Sequence, residues 1–388
     1  MSGERVSPTL HRLIKTLWTG GGSDLLLTTD GPPYMRRDGK LRAVPGESPL
    51  RIEDIDDILD VVLLPEHKEQ FVHHFDVDFS VGWEGVARLR GSAFRQRGLP
   101  SIALRIIPDR IPGFDELAMP RAVRDLGRLN QGLVLFTGPT GSGKSTSQAS
   151  LIDWINRNRE CHILTIEDPI EYVHRNISSV VSQREIGSDT MSFERALRSA
   201  LREDPDVLLV GEMRDLESIA MALTLAETGH LVFSTLHTND AAQAIDRIVD
   251  VFPAERQDQI RTQLAGSLAA VVAQRLVPRM DDGMTAAYEV LLASHAVRNL
   301  IREGKSRQLR NVMTTSIGDG MQTLEMGLSE LVEQGFVSYD EAVAHAFVPK
   351  EVTSPSMSLT VSTAVASVAS AAPAPAVTST SRFRGGKR

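Results

Sequence analysis

Three features are rare or missing in this sequence: cysteine, long apolar runs and an excess of positive charge. Cys161 is the only cysteine among 388 residues, which excludes an intrachain disulfide and a tetracysteine zinc site. The first residues lack the unbroken apolar core of a signal peptide, and no run of about twenty apolar residues occurs elsewhere. We therefore expect a cytoplasmic protein without a transmembrane segment.

The charge balance is acidic, with 42 Lys and Arg against 50 Asp and Glu, a formal net charge of −8 and a pI near 5.7. No overall positive field would draw such a chain to nucleic acid, so we expect no nucleic-acid partner, although the balance leaves room for a local basic channel. Hydrophobic residues make up 41% and charged residues 24%, which is typical of a globular protein. The length leaves room for two or three domains.

The sequence pattern divides the chain into four segments. Residues 1–107 predict a small α/β domain whose strands alternate apolar and polar residues, so that one sheet face is open to solvent or to a partner. Residues 108–120 are rich in proline and predict a linker. In residues 121–350 apolar strands alternate with helices, which predicts a parallel sheet covered on both faces, with mainly helices towards the end. Residues 351–388 predict a disordered tail that solubilises the chain or, through its terminal positive charges, contacts lipid or a partner.

A glycine-rich stretch, GPTGSGKST, fits the pattern G-x-x-x-x-G-K-[ST] between an apolar run and a predicted helix. Such a loop wraps phosphate oxygens with backbone N–H groups, while a lysine reaches the outer phosphates and a serine hydroxyl binds Mg²⁺. The alternative is a chance glycine-rich turn. The candidate binding residues are Gly138, Pro139, Thr140, Gly141, Ser142, Gly143, Lys144, Ser145 and Thr146, with Ser145 as the metal ligand.

Two acidic segments follow apolar strands. DVLLVGEMRD places Glu212 after a strand, where it can orient or activate a water molecule. Because Glu212 is the only acid directly at that strand end, a second acid should help with the metal, and Glu167 in TIEDPIEYVH is the best placed. The structural alternative for Glu212 is an acid that only stabilises the start of a helix.

Two histidines flank one apolar strand in AETGHLVFSTLHTND, with His230 before it and His237 after it. A histidine close to phosphates can donate a hydrogen bond to them, although a lone histidine is more often structural.

The predicted strands of the first domain carry four arginines: Arg88, Arg90, Arg95 and Arg105. These arginines either form a solvated strand face or act on a nucleotide in another subunit.

Four segments, in this order, closely resemble the Walker A, Asp box, Walker B and His box of bacterial secretion ATPases of the type II secretion and type IV pilus class: GPTGSGKST, TIEDPIEYVH, LREDPDVLLVGEMRD and AETGHLVFSTLHTND. Within this class the likeness is greatest to the pilus-retraction ATPases. GGSDLLLT near the start, RIVDVFPAERQDQIR at 247–261 and AVRNLIREGK at 296–305 support it. The resemblance covers about residues 5–347.

This resemblance implies a RecA-like P-loop ATPase domain joined to a smaller PAS-like domain, assembled as a homohexamer that uses ATP and Mg²⁺. By position it makes Lys144 and Ser145 ligands of phosphate and Mg²⁺, and Glu212 the catalytic carboxylate. Glu167 becomes an essential acid of the Asp box. It assigns His230 and His237 to the His box. It also implies that Arg90 and Arg105, with Arg88 as a further candidate, reach a neighbouring subunit's nucleotide.

The implied function is ATP-driven retraction of type IV pili, and hence twitching motility. The ATPase would act at the cytoplasmic face of the inner membrane on a platform protein, with a second retraction ATPase as a further partner. The alternatives are an accessory retraction ATPase, a pilus-assembly or type II secretion ATPase, a nucleotide-regulated binding module without turnover, and a nucleic-acid translocase. One departure is Gln148, which stands where the family is expected to have an apolar residue, so the helix after the loop is expected to pack differently.

Overall fold

The computed structural model describes residues 7–37, 40–83, 87–108, 110–213, 215–281 and 283–354. The predicted tail lies outside these residues from 355 onward. The chain forms two compact units, one built from the residues up to Glu116 with Ser145–Glu212, the other from Leu117–Lys144 with the residues from Met213 onward. The domain boundaries expected at 107, 120 and 350 stay predictions.

Helices and strands alternate along much of the described chain. The helices are α1 (Pro8–Thr19), α2 (Ile52–Val62), α3 (Pro65–His74), α4 (Arg121–Asp125), α5 (Lys144–Asn158), α6 (Phe193–Ala200), α7 (Leu216–Glu227), α8 (Ala241–Asp250), α9 (Ala254–Ser267), α10 (His295–Arg302), α11 (Leu309–Thr315), α12 (Leu324–Glu333) and α13 (Tyr339–His345). The strands are β1 (Asp24–Thr28), β2 (Tyr34–Arg37), β3 (Lys40–Ala43), β4 (Asp76–Trp83), β5 (Ala87–Gln96), β6 (Leu99–Pro108), β7 (Gly132–Thr137), β8 (His162–Glu167), β9 (Val180–Glu185), β10 (Val207–Val210), β11 (Leu231–Leu236), β12 (Leu268–Pro278) and β13 (Met284–Leu292).

The N-terminal sheet is antiparallel, with strand order β3-β2-β1-β6-β5-β4. Along β1 and β5 buried side chains alternate with more exposed ones, as the sequence pattern predicts. The buried face packs with α1, α2 and α3 into one apolar core that includes Leu13, Ile58, Phe71 and Phe79. The opposite face of the sheet is open at Arg90 and Arg105, whose side chains are exposed, whereas Arg88 on the same face is only partly exposed.

The parallel strands have side chains buried on both faces. In the first unit β8 pairs in parallel with β9 on one side and β10 on the other. In the second unit β7 pairs in parallel with β11 and β12, and β13 lies antiparallel to β12. All six residues of both β7 and β11 are buried, which confirms the predicted α/β class with a parallel sheet. Within the described ranges, no helix has both the length and the apolar content needed to cross a bilayer.

Gln148 lies in α5 with its side chain 3% exposed. Its Nε2 atom is buried and has no hydrogen-bond partner among the described residues. A buried polar atom without a partner costs about 1 to 3 kcal/mol of stability because it loses water without replacing the hydrogen bond. The glutamine at this expected apolar position is therefore a buried amide that is only partly satisfied.

We expect Gln148→Leu to raise the free energy of unfolding by about 1 kcal/mol, because leucine has a similar volume and no polar atom to desolvate. Denaturant unfolding, followed by circular dichroism, measures this change. Gln334→Leu on the surface is the control and should change stability by less than about 0.5 kcal/mol. A loss of stability in Gln148→Leu would contradict the prediction.

Candidate active site

The loop after β7 is shaped by glycine. Gly138 has φ +144° and Gly143 has φ +86°, a region that other residues rarely adopt. A Cβ atom at Gly138 would lie 2.3 Å from the Gln274 carbonyl oxygen, and one at Gly143 would lie 2.8 Å from Gln274 Nε2. At Gly138 conformation and space therefore both require glycine, because the loop rests directly on the backbone of β12, and at Gly143 the conformation requires it.

Inside this loop the Lys144 ammonium group donates hydrogen bonds to the carbonyl oxygens of Gly138, at 2.8 Å, and Pro139, at 3.0 Å. Its side chain is only 7% exposed. Ser142 Oγ is buried in the same loop without a hydrogen-bond partner among the described residues. A positive group held in a glycine loop at the start of α5, beside an unsatisfied hydroxyl, fits the phosphates of a nucleotide.

His237 lies next to the start of the loop. β11 and β7 run parallel in a register that pairs Leu236 with Thr137, so the next residues, His237 and Gly138, lie side by side. Thr238 secures this arrangement, since its backbone N–H donates to Thr137 Oγ1 at 3.1 Å and its carbonyl accepts from the same hydroxyl at 2.5 Å. The histidine predicted after the strand thus follows β11 at the end where β7 leads into the phosphate loop, and the role expected for it stays a prediction.

His230 lies at the other end of the same strand. Its carbonyl oxygen accepts from Gly132 N, at the start of β7, and its Nδ1 lies 2.9 Å from the Leu225 carbonyl at the end of α7. Six strand residues, spanning roughly 20 Å, separate this position from the loop. Within this chain His230 is not at the phosphate loop, and the role expected for it stays a prediction.

The two candidate acids belong to the other unit, where they end neighbouring strands. β8 and β10 pair in parallel up to Ile166 and Val210, and Gly211 N donates to the Ile166 carbonyl at 2.8 Å. A Cβ atom at Gly211 would lie 3.4 Å from Glu167 Cα. Glu167, the last residue of β8, and Glu212, two residues after β10, therefore lie at the carboxyl ends of adjacent parallel strands, and their catalytic roles stay predictions.

The Glu167 carboxylate is held by three donors: Thr165 Oγ1 at 2.7 Å, Gln183 Nε2 at 3.2 Å and Glu171 N at 3.4 Å. Burial raises its pKa from 4.5 to about 7, although the three hydrogen bonds act in the opposite direction. This acid therefore changes protonation state near neutral pH, where it can exchange a proton or bind a cation.

Several residues that contact the predicted site residues could not be predicted from the sequence. Gln274 beneath the loop and Gln183 beside Glu167 are amides within strands, and their positions in the runs AVVAQRLV and VVSQRE were the available signal. Tyr172 is a further such residue; its hydroxyl lies 3.0 Å from Thr146 Oγ1 and connects the first turn of α5 to the Asp box. Within each unit, only the fold brings these side chains beside their neighbours.

The structure separates the candidate arginines. Arg88 forms an ion pair with Glu185, Nη2 to Oε2 at 2.9 Å, and Glu185 Oε2 also accepts from Ile170 N in the Asp box at 3.0 Å. Arg105 pairs with Asp24, Nε to Oδ1 at 2.8 Å. Arg90 is exposed and lies directly opposite Arg105 on the neighbouring strand. Arg88 is thus tied to the Asp box of its own chain, whereas Arg90 and Arg105 are on the open sheet face.

The chain is similar to known proteins over most of its length. The family model for the type II/IV secretion system protein matches residues 88–286. The chain is 46% identical to the type IV pilus retractation ATPase PilT of Pseudomonas aeruginosa over 330 residues, 85% of this chain and 96% of the relative. It is 42% identical to the type IV pilus ATPase PilU of the same organism over 337 residues, 87% and 88% of the two chains. A crystal structure of the pilus retraction motor PilT with bound ADP matches with a TM-score of 0.83 at 45% identity, covering 88% of this chain and 98% of that one.

The raised pKa of Glu167 predicts a pH-dependent stability difference. Between pH 4.5 and about 7 the folded state holds a proton that the unfolded state releases, so stability falls as pH rises through this window. Glu167→Gln removes the loss. Its free energy of unfolding should match that of the unmodified chain near pH 4.5 and exceed it by about 2 kcal/mol at pH 8.

Denaturant unfolding at several pH values measures this difference, with Glu160→Gln on the surface as the control. A difference that does not change with pH would show that burial does not control the Glu167 carboxylate.

Proposed function

Because the chain belongs to the type II/IV secretion system protein family, we propose that it is the motor ATPase that retracts type IV pili. The chain is an ATPase of this family with a nucleotide-binding fold. The assignment to pilus retraction rests on the match to a retraction motor over nearly the whole length of that motor. The phosphate loop, which is intact in sequence and in shape, supports it. The acids expected for hydrolysis are also present.

ATP is the proposed substrate. Lys144 and the backbone N–H groups of residues 138–146 would hold its phosphates, and the Ser145 hydroxyl would bind Mg²⁺. The metal ion supplies positive charge to the phosphate oxygens when it is bound. The lysine would exchange its two bonds to loop carbonyls for bonds to phosphate oxygens, which are stronger because both partners are charged.

Hydrolysis also needs an oriented water molecule. We assign that role to Glu212, which would hold the attacking water or accept its proton. Glu167, whose pKa is about 7, would support the metal site in its ionised form. His237, alongside the first loop residue, would donate a hydrogen bond to the outer phosphate. His230 is assigned to the His box by resemblance alone.

The remaining positive charge would come from another subunit. Arg90 and Arg105 lie on an exposed sheet face, and a guanidinium group matches phosphate oxygens well. In a homohexameric ring these arginines would close onto the neighbour's nucleotide, so that hydrolysis is coupled to the arrangement of the subunits. Successive closures would move a platform protein at the cytoplasmic face of the inner membrane and withdraw pilin subunits, either alone or with a second retraction ATPase.

The strongest competing function is that of an accessory retraction ATPase, because the likeness to PilU is almost as high as the likeness to PilT. A pilus-assembly or type II secretion ATPase would have the opposite effect on pili. These functions differ in the phenotype of cells that lack the protein.

The test is to delete the gene in its host, count surface pili by electron microscopy, and complement with Glu212→Gln. We expect excess pili that do not retract, and no rescue by this variant, because hydrolysis should fall at least about 100-fold. Glu217→Gln, an exposed acid in the first turn of α7, is the control and should rescue fully.

Cells without pili would instead indicate an assembly ATPase. Normal retraction in the deletion strain would indicate an accessory role. Full rescue by Glu212→Gln would mean that this acid only stabilises the start of a helix.

A further inference from the structure

Four charged residues form a line across the open face of the N-terminal sheet. Asp24 on β1 lies directly opposite Arg36 on β2 and Arg105 on β6, and Arg105 lies directly opposite Arg90 on β5. Residues that face each other in this way point to the same side of a sheet. We call Arg36, Asp24, Arg105 and Arg90 the arginine row. It lines a shallow cavity of about 370 Å³.

The row has an excess of positive charge, because three guanidinium groups face one carboxylate. Asp24 accepts from Arg105 Nε at 2.8 Å and lies 3.9 Å from Arg36 Nε. Arg90 and Arg105 are like charges directly opposite each other, an unfavourable arrangement that the Asp24 carboxylate offsets in part through its ion pair with Arg105. The other carboxylate in the cavity, Asp78, lies on β4 opposite Ser92 and outside the row.

We propose that Asp24 is a positioning residue, which holds Arg105 and Arg36 so that the arginine row binds the phosphate oxygens of the nucleotide carried by a second copy of this chain. This inference rests on the proposed function, in which Arg90 and Arg105 act on a neighbouring subunit, and it adds Arg36 and Asp24. It also gives a role to the segment GGSDLLLT.

The geometry of Asp24 supports a positioning role. Its side chain is 21% exposed, whereas those of Arg36 and Arg105 are 45% and 65% exposed. Its second oxygen accepts from Ser23 Oγ at 2.6 Å, which fixes the carboxylate on the sheet. Long exposed arginine side chains otherwise lose conformational entropy when they bind an anion, and a fixed carboxylate beside them removes part of that cost in advance.

Arg88 points to the same face but has a different partner. It lies two residues before Arg90 on β5. Its guanidinium group pairs with the Glu185 carboxylate, which also accepts a hydrogen bond from Ile170 N. Release of Arg88 would leave the buried Glu185 carboxylate without its cation. We therefore place Arg88 outside the anion site and assign it to the connection with the Asp box of its own chain.

The first experiment compares Asp24→Asn with Glu47→Gln in the purified full-length chain. Glu47 pairs with Arg12 at 2.8 Å in the same domain, with exposures of 14% and 55%, so it is a matched ion pair outside the row. In both pairs the arginine side chain is largely exposed, so both variants should lose little stability and to a similar extent. We expect Asp24→Asn to lower kcat for ATP about tenfold with KM changed less than twofold, because only arginine placement is lost.

Arg36→Gln should lower kcat to a similar extent, and Arg42→Gln on β3, outside the row, should not. An unchanged kcat in Asp24→Asn or in Arg36→Gln would overturn the proposal. If the unmodified chain itself hydrolysed no ATP, the proposed function would fail instead, so the two failures are distinguishable.

A subunit-mixing experiment tests whether the row acts on a second copy. Asp24→Asn keeps an intact phosphate loop, and Lys144→Ala keeps an intact row but cannot hold nucleotide phosphates. A mixture of the two should hydrolyse ATP several times faster than the sum of the separate activities. A mixture that gives only the sum would place the row in its own subunit's chemistry and overturn the proposal.

Discussion

The close contact between the phosphate loop and β12 is the constraint on which the site depends. Gly138 leaves no space for a side chain against the Gln274 backbone, and both Gly138 and Gly143 have positive φ angles. This contact fixes the path of the loop, and the path directs the Lys144 ammonium group inward. The hydrogen bonds of Thr137 to Thr238 then fix the strand that carries His237 relative to the loop. A small backbone shift at β12 would therefore disturb the lysine and the histidine together.

Burial controls the protonation of two acids in different units. Desolvation raises the pKa of Glu167 to about 7, and it has the same effect on Glu289, which is 2% exposed and accepts from Ala241 N at the start of α8. Two features distinguish them: Glu167 ends a strand at the edge that also carries Glu212, whereas Glu289 lies within β13 and anchors a helix. The first arrangement suits proton exchange or metal binding, and the second suits structural support.

Much of the fold and the loop could be predicted from the sequence, because both depend on local patterns. Apolar strands alternating with helices predict a parallel sheet, and the glycine spacing predicts the loop. The partners of individual side chains could not be predicted in this way. Gln274 and Tyr172 are far from the loop glycines or from Thr146 in sequence, and only tertiary packing brings them into contact. His230 and His237 look equivalent around one strand, yet the strand register puts only His237 beside the loop. Arg88, Arg90 and Arg105 look alike in sequence, yet Arg88 pairs with Glu185, Arg105 pairs with Asp24, and Arg90 lies opposite Arg105 on the next strand.

The central claim is that ATP hydrolysis at this site powers pilus shortening. The most direct test measures the retraction speed of fluorescently labelled pili in living cells that carry variants with graded kcat, such as Glu212→Asp and Asp24→Asn. The account predicts that retraction speed falls in step with the kcat of the purified variants, while the number of pili rises. Retraction at full speed by a variant whose kcat is reduced about tenfold would contradict it.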